Sequence, residues 1–194
     1  MPNNIDDAQI HQIVQRVLQQ ALGQSEHGVA PAPANLTSGS VSTGKKVVAL
    51  GADHGGFELK EALKSEIKSL GFEIQDVGTN SKDAVDYPDF AHAVAQLVSN
   101  GKAWRGIMID GAGIGSCIVA NKVPGVRAGM GYDISSASNS REHNDTNVLT
   151  LGAGLIGAAL AKQIVKTWLT TEFGGGRHIP RVDKIKSVEK IYLK

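Results

Sequence analysis

The chain has 194 residues, 41% of them apolar, and a formal net charge of +1, enough for one ordinary domain core with roughly forty residues to spare. Balanced charge leaves no electrostatic footprint for nucleic acid or an anionic membrane surface, and no run approaches the eighteen or so apolar residues of a membrane span. The one cysteine, Cys117, can form neither an internal disulfide nor a thiolate metal cluster, which suits a reducing cytoplasm.

Residues 1–23 predict an amphipathic helix. Ile10, Ile13, Val14, Val17, Leu18, Ala21 and Leu22 recur at three- and four-residue spacing along one face, and Gln12, Gln15, Arg16, Gln19 and Gln20 occupy the other. Asn4 is placed to cap it and Gly23 to stop it. Segment 24–44 predicts a flexible linker, because its PAPANLTSGSVSTG stretch is rich in Pro, Ser, Thr and Gly without apolar periodicity. A tethered apolar stripe is expected to find a binding partner; packing back on its own domain or pairing with its copy are the alternatives. Asp6, Asp7 and the lone Arg16 fit neither a secretory signal nor a transit peptide. The arrangement resembles the encapsulation peptides that direct enzymes into bacterial microcompartments. That resemblance implies shell or co-packaged proteins as partners of residues 5–22.

From Lys45 to Lys194 short β-branched runs alternate with helical ones. KVVAL, FEIQDV, GIMID, VRAGM and NVLTL predict strands, with helices beginning near Gly56, Pro88, Gly115, Asp133 and Gly157. Five strands alternating with helices predict a doubly wound α/β domain, a Rossmann-like parallel sheet covered on both faces. A last helix from about Pro180 to Tyr192 carries Val182, Ile185, Val188 and Ile191 at three-residue steps, suited to clasping a second subunit.

In such sheets ligands bind beyond the carboxyl ends of the strands. The first strand runs into Asp53-His54-Gly55-Gly56, and the third into Asp110-Gly111-Ala112-Gly113-Ile114-Gly115-Ser116. Glycines at alternate positions let backbone N–H groups converge on an anion. A dinucleotide loop is the competing interpretation, with Asp133 about twenty residues on, but the G-x-G-x-G spacing, the place after the third strand and the lack of room for a substrate domain oppose it. No organic cofactor is expected, and no His, Cys and carboxylate cluster has metal-ligand spacing.

GADHGGFELK, VDYPDFA, DGAGIGSCIVANKVPGVRA, SREHNDTNVL and GGGRHIPRV, in this order across nearly all of residues 46–194, resemble the successive blocks of the type B ribose-5-phosphate isomerases. The resemblance implies an aldose–ketose isomerase acting on a phosphorylated sugar, at least a homodimer, with a site shared between two subunits. It implies that Asp53 and His54 bind sugar hydroxyls or the ring oxygen with Tyr87 alongside, and that Gly111, Gly113, Gly115 and Ser116 cradle the substrate. His143 would carry a proton for ring opening, Asn144 would orient the substrate, and Arg177 and Arg181 would reach the phosphate from the partner. Without the resemblance, Asp53 reads as a turn residue and His143 as a helix-end histidine satisfied by backbone.

The sequence departs from that family where a base is needed to move a proton between carbons. The usual cysteine at the head of the third loop is Asp110, the glutamate some members place after the last glycine is Ser116, the usual Thr or Asn is Ala112, and an arginine after the fifth strand is Gly154. Three alternatives follow. Asp110 is the base, its carboxylate reaching one atom beyond a thiol; or the chain is catalytically silent and binds or scaffolds; or Cys117 serves, a thiol that a first helical turn would acidify but that points about 100° away from residue 116.

Overall fold

A computed structural model describes Gln12 and residues 45–192. Gln12 is helical and exposed; the rest of the expected N-terminal helix and all of segment 24–44 lie outside the described residues. The fold below belongs to the unit Thr43–Lys194.

The β-branched runs form β1 (Val47–Ala52), β2 (Glu73–Gly78), β3 (Arg105–Asp110), β4 (Ala128–Met130) and β5 (Val148–Gly152). Between and after them come α1 (Phe57–Ser69), α2 (Tyr87–Ser99), α3 (Ile114–Ala120), α4 (Ile134–Asn144) and α5 (Ala158–Thr170). A 3-10 turn at Gly176–His178 leads into α6 (Ile179–Tyr192). Helix starts fall within a residue of expectation for α1, α2, α3, α4, α5 and α6. The strand expected over VRAGM shortens to Ala128–Met130, because the Arg127 amide is taken by the Asn147 side chain at 2.7 Å.

Every pairing is parallel and the strand order is β2-β1-β3-β5-β4, the expected doubly wound α/β sheet. Because β1 has β2 on one side and β3 on the other, the chain reverses its direction of build at β1 and β3. That opens a crevice at their carboxyl ends. Successive side chains along the central strands feed two apolar layers, as a strand's two-residue period requires. Val48, Leu50, Ile107, Ile109, Leu149 and Leu151 pack on one face with Leu63, Ile164 and Trp168. Ala49, Met108 and Val148 pack on the other with Ala91, Val94 and Ala95. Truncating Ile109 or Leu151, both fully buried, to Ala would cost about 2–5 kcal/mol.

The two sheet edges are finished differently. Edge strand β2 bears Glu73 and Gln75 outward and is tied to α1 by Lys60, a wholly buried lysine whose Nζ lies 2.7 Å from Asp76 Oδ2. Edge strand β4 has α6 nearby: the Gly125 amide donates to Glu189 at 2.9 Å, and a cavity of about 450 Å³ is lined by Ala128, Gly129, Ile185, Val188 and Tyr192 among others. Among the described residues no helix is long and apolar enough to cross a membrane.

Candidate active site

Acidic and hydroxyl groups gather at the carboxyl ends of β1 and β3. Asp53, 7% exposed, caps its own turn through Oδ1, which accepts from the Gly56 amide at 2.9 Å. The turn sits tight on β3: a Cβ at Gly56 would come within 2.3 Å of the Ile109 carbonyl oxygen. His54 is exposed, its Nδ1 3.2 Å from both the N–H and the carbonyl of Val85, which anchors the stretch leading into α2. Tyr87, at the start of α2, lays its ring on Gly115, where a Cβ would meet the ring and hydroxyl at 2.5–2.6 Å. Gly115 is therefore the gap that Tyr87 fills. Gly113 adopts a φ of 78°, which only glycine takes at little cost, and this folds the loop back toward the residue that opens it.

That residue is Asp110, 5% exposed, and its carboxylate is saturated. Oδ1 accepts from the amides of Ala112, at 2.8 Å, and Gly113; Oδ2 accepts from the Ser116 amide at 3.2 Å and from the Ser116 hydroxyl. A carboxylate has about four lone-pair directions, and all are used. Loop amides expected to converge on a substrate anion converge instead on the chain's own carboxylate. Three of the four donors are backbone or nearly fixed; the Ser116 hydroxyl alone can rotate away. Gly154, where the resemblance leads one to expect an arginine, donates its amide to the Gly111 carbonyl at 2.9 Å.

Cys117 is turned elsewhere. Its sulfur lies 3.6 Å from the Ala128 carbonyl, under α3 against the sheet, and burial pushes its thiol pKa up, with the Asp110 charge adding to the rise. The acidification expected from a first helical turn does not occur, because burial outweighs the helix end.

The basic groups collect at the other end of the sheet. Helix α4 begins at a capping box of Asp133 and Ser136 and ends at Asp145, whose φ of 48° is held by Arg127 and Arg141, each 2.9 Å from a carboxylate oxygen. Asp145 leads through Thr146 and Asn147 into the start of β5, and the Asn147 carbonyl accepts from Gly106 at the start of β3. His143 and Asn144, in the last turn of α4, thus stand at the amino ends of the strands. The Gly174 amide donates to Glu142 O at 3.0 Å, and positive φ at Gly175 and Gly176 turns the chain beneath α4. There the His178 ring stacks on His143, centroids 4.2 Å apart and planes 12° from parallel. Arg177 and Arg181 flank it, both exposed. Two guanidinium forks beside one helix start suit a phosphate dianion.

Within one chain, therefore, Asp53, His54, Tyr87, Asp110, Gly111, Gly113, Gly115 and Ser116 share one edge, while His143, Asn144, Arg177 and Arg181 share the opposite one. Strand β3 alone separates the edges by about 17 Å, the five steps of ~3.3 Å between its six residues. Sequence reasoning missed His178. Its place in GGGRHIPRV beside two arginines was visible, but its contact with a residue thirty-five positions earlier was not. Among the described residues no three His, Cys, Asp or Glu side chains gather in a metal-holding group.

Residues 48–185 match the model of the Ribose/Galactose Isomerase family. A putative sugar phosphate isomerase of Bacillus subtilis is 47% identical over 144 residues, 74% of this chain and 97% of that protein. Ribose-5-phosphate isomerase B of Escherichia coli is 44% identical over 145 residues, 75% of this chain and 97% of that protein. The solved structure of Clostridium thermocellum ribose-5-phosphate isomerase B superposes with a TM-score of 0.74 at 49% identity, covering 75% of this chain and 99% of that one. The chain belongs to the ribose/galactose isomerase family, and with it to the aldose–ketose isomerases of sugar phosphates.

Proposed function

We propose that the chain interconverts ribose 5-phosphate and ribulose 5-phosphate at a site assembled from two copies, the carboxyl-end loops of one facing the His143 and Arg177 cluster of the other. The observation that carries this reading is the segregation of acid–base groups from phosphate-binding groups to opposite edges of one sheet. A single chain cannot span a five-carbon substrate between them, and a two-fold dimer brings unlike edges together twice. Exposed Ile185, Val188 and Ile191 on α6 offer apolar surface for that contact.

In this arrangement Arg177 and Arg181 grip the phosphate of the neighbour's substrate, and His143 donates a proton to the ring oxygen as the sugar opens. Asp53 and His54 hold the hydroxyls at the reacting end, Tyr87 closes one wall, and Asn144 orients the chain of the sugar. A base then takes the proton from C2 to give an enediolate, and returns it to C1. Asp110 is that base. When the Ser116 hydroxyl rotates toward the substrate, one lone pair of Oδ2 is released at the loop mouth, while three amide bonds keep the carboxylate in place. Cys117, buried and directed at Ala128, is poorly placed to compete.

The saturated Asp110 carboxylate also favours a second reading, a silent subunit that binds or scaffolds without turnover. A coupled assay of the purified protein against ribose, allose, galactose and deoxyribose phosphates separates the two: turnover of ribose 5-phosphate supports isomerisation, a six-carbon preference redirects the substrate, and silence on all four sinks it. The residues 5–22 stripe supports a further role as microcompartment cargo in the cytoplasm. Deleting residues 1–43 should then preserve dimerisation and turnover while abolishing enclosure in shells, and a fluorescent protein carrying residues 1–43 should be enclosed. A diffuse fusion would remove the address from this segment.

A further inference from the structure

We propose that His178 is a positioning residue for the isomerisation: its ring is the aromatic floor against which His143 carries its proton. This rests on the reading of His143 as the proton carrier, and the geometry of the stack supports it.

The two rings lie face to face, 4.2 Å apart and 12° from parallel, so His143 has the whole π face of its neighbour beneath it. His178 is 8% exposed while His143 is half-buried, so one ring of the pair meets solvent and substrate and the other is packed away. The Nε2 atom of His178 faces Arg177 Nε at 3.5 Å. A guanidinium has only donors, so this nitrogen is held as an acceptor, and the ring's single proton belongs on Nδ1. Nδ1 is itself buried with no hydrogen-bond partner among the described residues. A second proton would have to point at a cation.

The surrounding charges act in the same direction. Burial first, then His143 on α4, Arg177 on the 3-10 turn and Arg181 on α6, hold the His178 pKa below the usual histidine value; Glu142 on α4 pulls the other way and is outweighed. His178, held toward its neutral form, presents an electron-rich face; stacked on it, His143 gains cation–π support for an imidazolium. The GGG turn that seats His178 under α4 thus builds the floor and delivers the two arginines in one stroke.

The test needs no variant at first. Ring nitrogen–proton NMR of the full-length protein should show His178 neutral at neutral pH, with its proton on Nδ1, and gaining its second proton only below the usual histidine range. A His178 that titrates at or above that range, or that carries its proton on Nε2, overturns the proposal. Two substitutions then separate a floor from mere filling. His178→Phe keeps a flat π face, and kcat should stay within about threefold of wild type; His178→Leu fills similar volume without that face, and kcat should fall about tenfold with KM little changed. Indistinguishable Phe and Leu variants would reduce His178 to packing. Should the wild-type chain turn over no sugar phosphate, the isomerase reading falls, and the ring titration still decides the role of His178.

Discussion

The two ends of the sheet hold their functional groups by opposite means. At the carboxyl end, backbone does the holding: the amides of Ala112, Gly113 and Ser116 fix Asp110, and the Gly56 amide fixes Asp53. At the amino end, side chains hold side chains: His178 supports His143, and Arg127 and Arg141 clamp Asp145 at the helix terminus. A carboxylate is an acceptor and finds donors wherever a glycine turn exposes amides. A guanidinium has only donors, so it turns to acceptors: Arg127 and Arg141 donate to the backbone carbonyls of Asp145 and Thr146 as well as to the Asp145 carboxylate. The acidic edge is complete within itself, and the basic edge leaves its two arginines open to solvent.

The comparison breaks most sharply at Asp110. Asp110→Asn places an NH2 group opposite Ser116 or against the loop amides, and kcat should fall about a hundredfold or more with KM nearly unchanged. The same exchange leaves a donor facing a donor, so thermal unfolding should report a loss of about 1–3 kcal/mol. Unchanged turnover would confine Asp110 to a structural clasp.

Mixing chains tests whether unlike edges meet. Arg177→Ala and Asp110→Asn homodimers should each be nearly inactive, whereas a heterodimer has one site with both edges intact. Random exchange of equal amounts should restore roughly a quarter of wild-type activity, half the dimers being mixed and each holding one good site of two. No recovery after demonstrated exchange would place a whole site in one chain.

Smaller effects sharpen the picture. Gly115→Ala drives a methyl group into Tyr87, so the ring should be displaced at a cost of about 1–3 kcal/mol, read as a severalfold rise in KM. The smallest effect belongs to Cys117. With its pKa raised, the group is a thiol at neutral pH and becomes a thiolate only above the ordinary cysteine range. Cys117→Ala should leave kcat within about twofold, and iodoacetamide at neutral pH should not inactivate the enzyme.

Much of this was legible in the sequence. The strands stand out because the central ones are buried on both faces and read as continuous apolar runs; β3 is buried at all six positions. The loops after β1 and β3 were readable because glycine and aspartate have few roles beside a strand end. Three things were not legible. The saturation of Asp110 depends on how far the loop folds back, which the Gly113 conformation sets. The orientation of Cys117 follows from helical phase, yet its burial depends on Ala128, eleven residues on. The His143–His178 stack joins two segments that meet only once α4, α5 and the GGG turn are packed. Local chemistry was visible, and long-range approach was not.

The unequal finishing of the sheet edges has a consequence for handling the protein. Strand β2 repels unwanted pairing with its own polar residues, but β4 carries only Ala128, Gly129 and Met130 and relies on the neighbouring α6. A chain cut before Ile179 would retain the sheet and present a short, uncharged edge together with Val126 and the apolar lining of the cavity beside it. Edges of that kind recruit strands from other molecules. Such a fragment should therefore fail by precipitating rather than by unfolding, and a proteolytic nick at Gly174–Gly176 would be a route to aggregates.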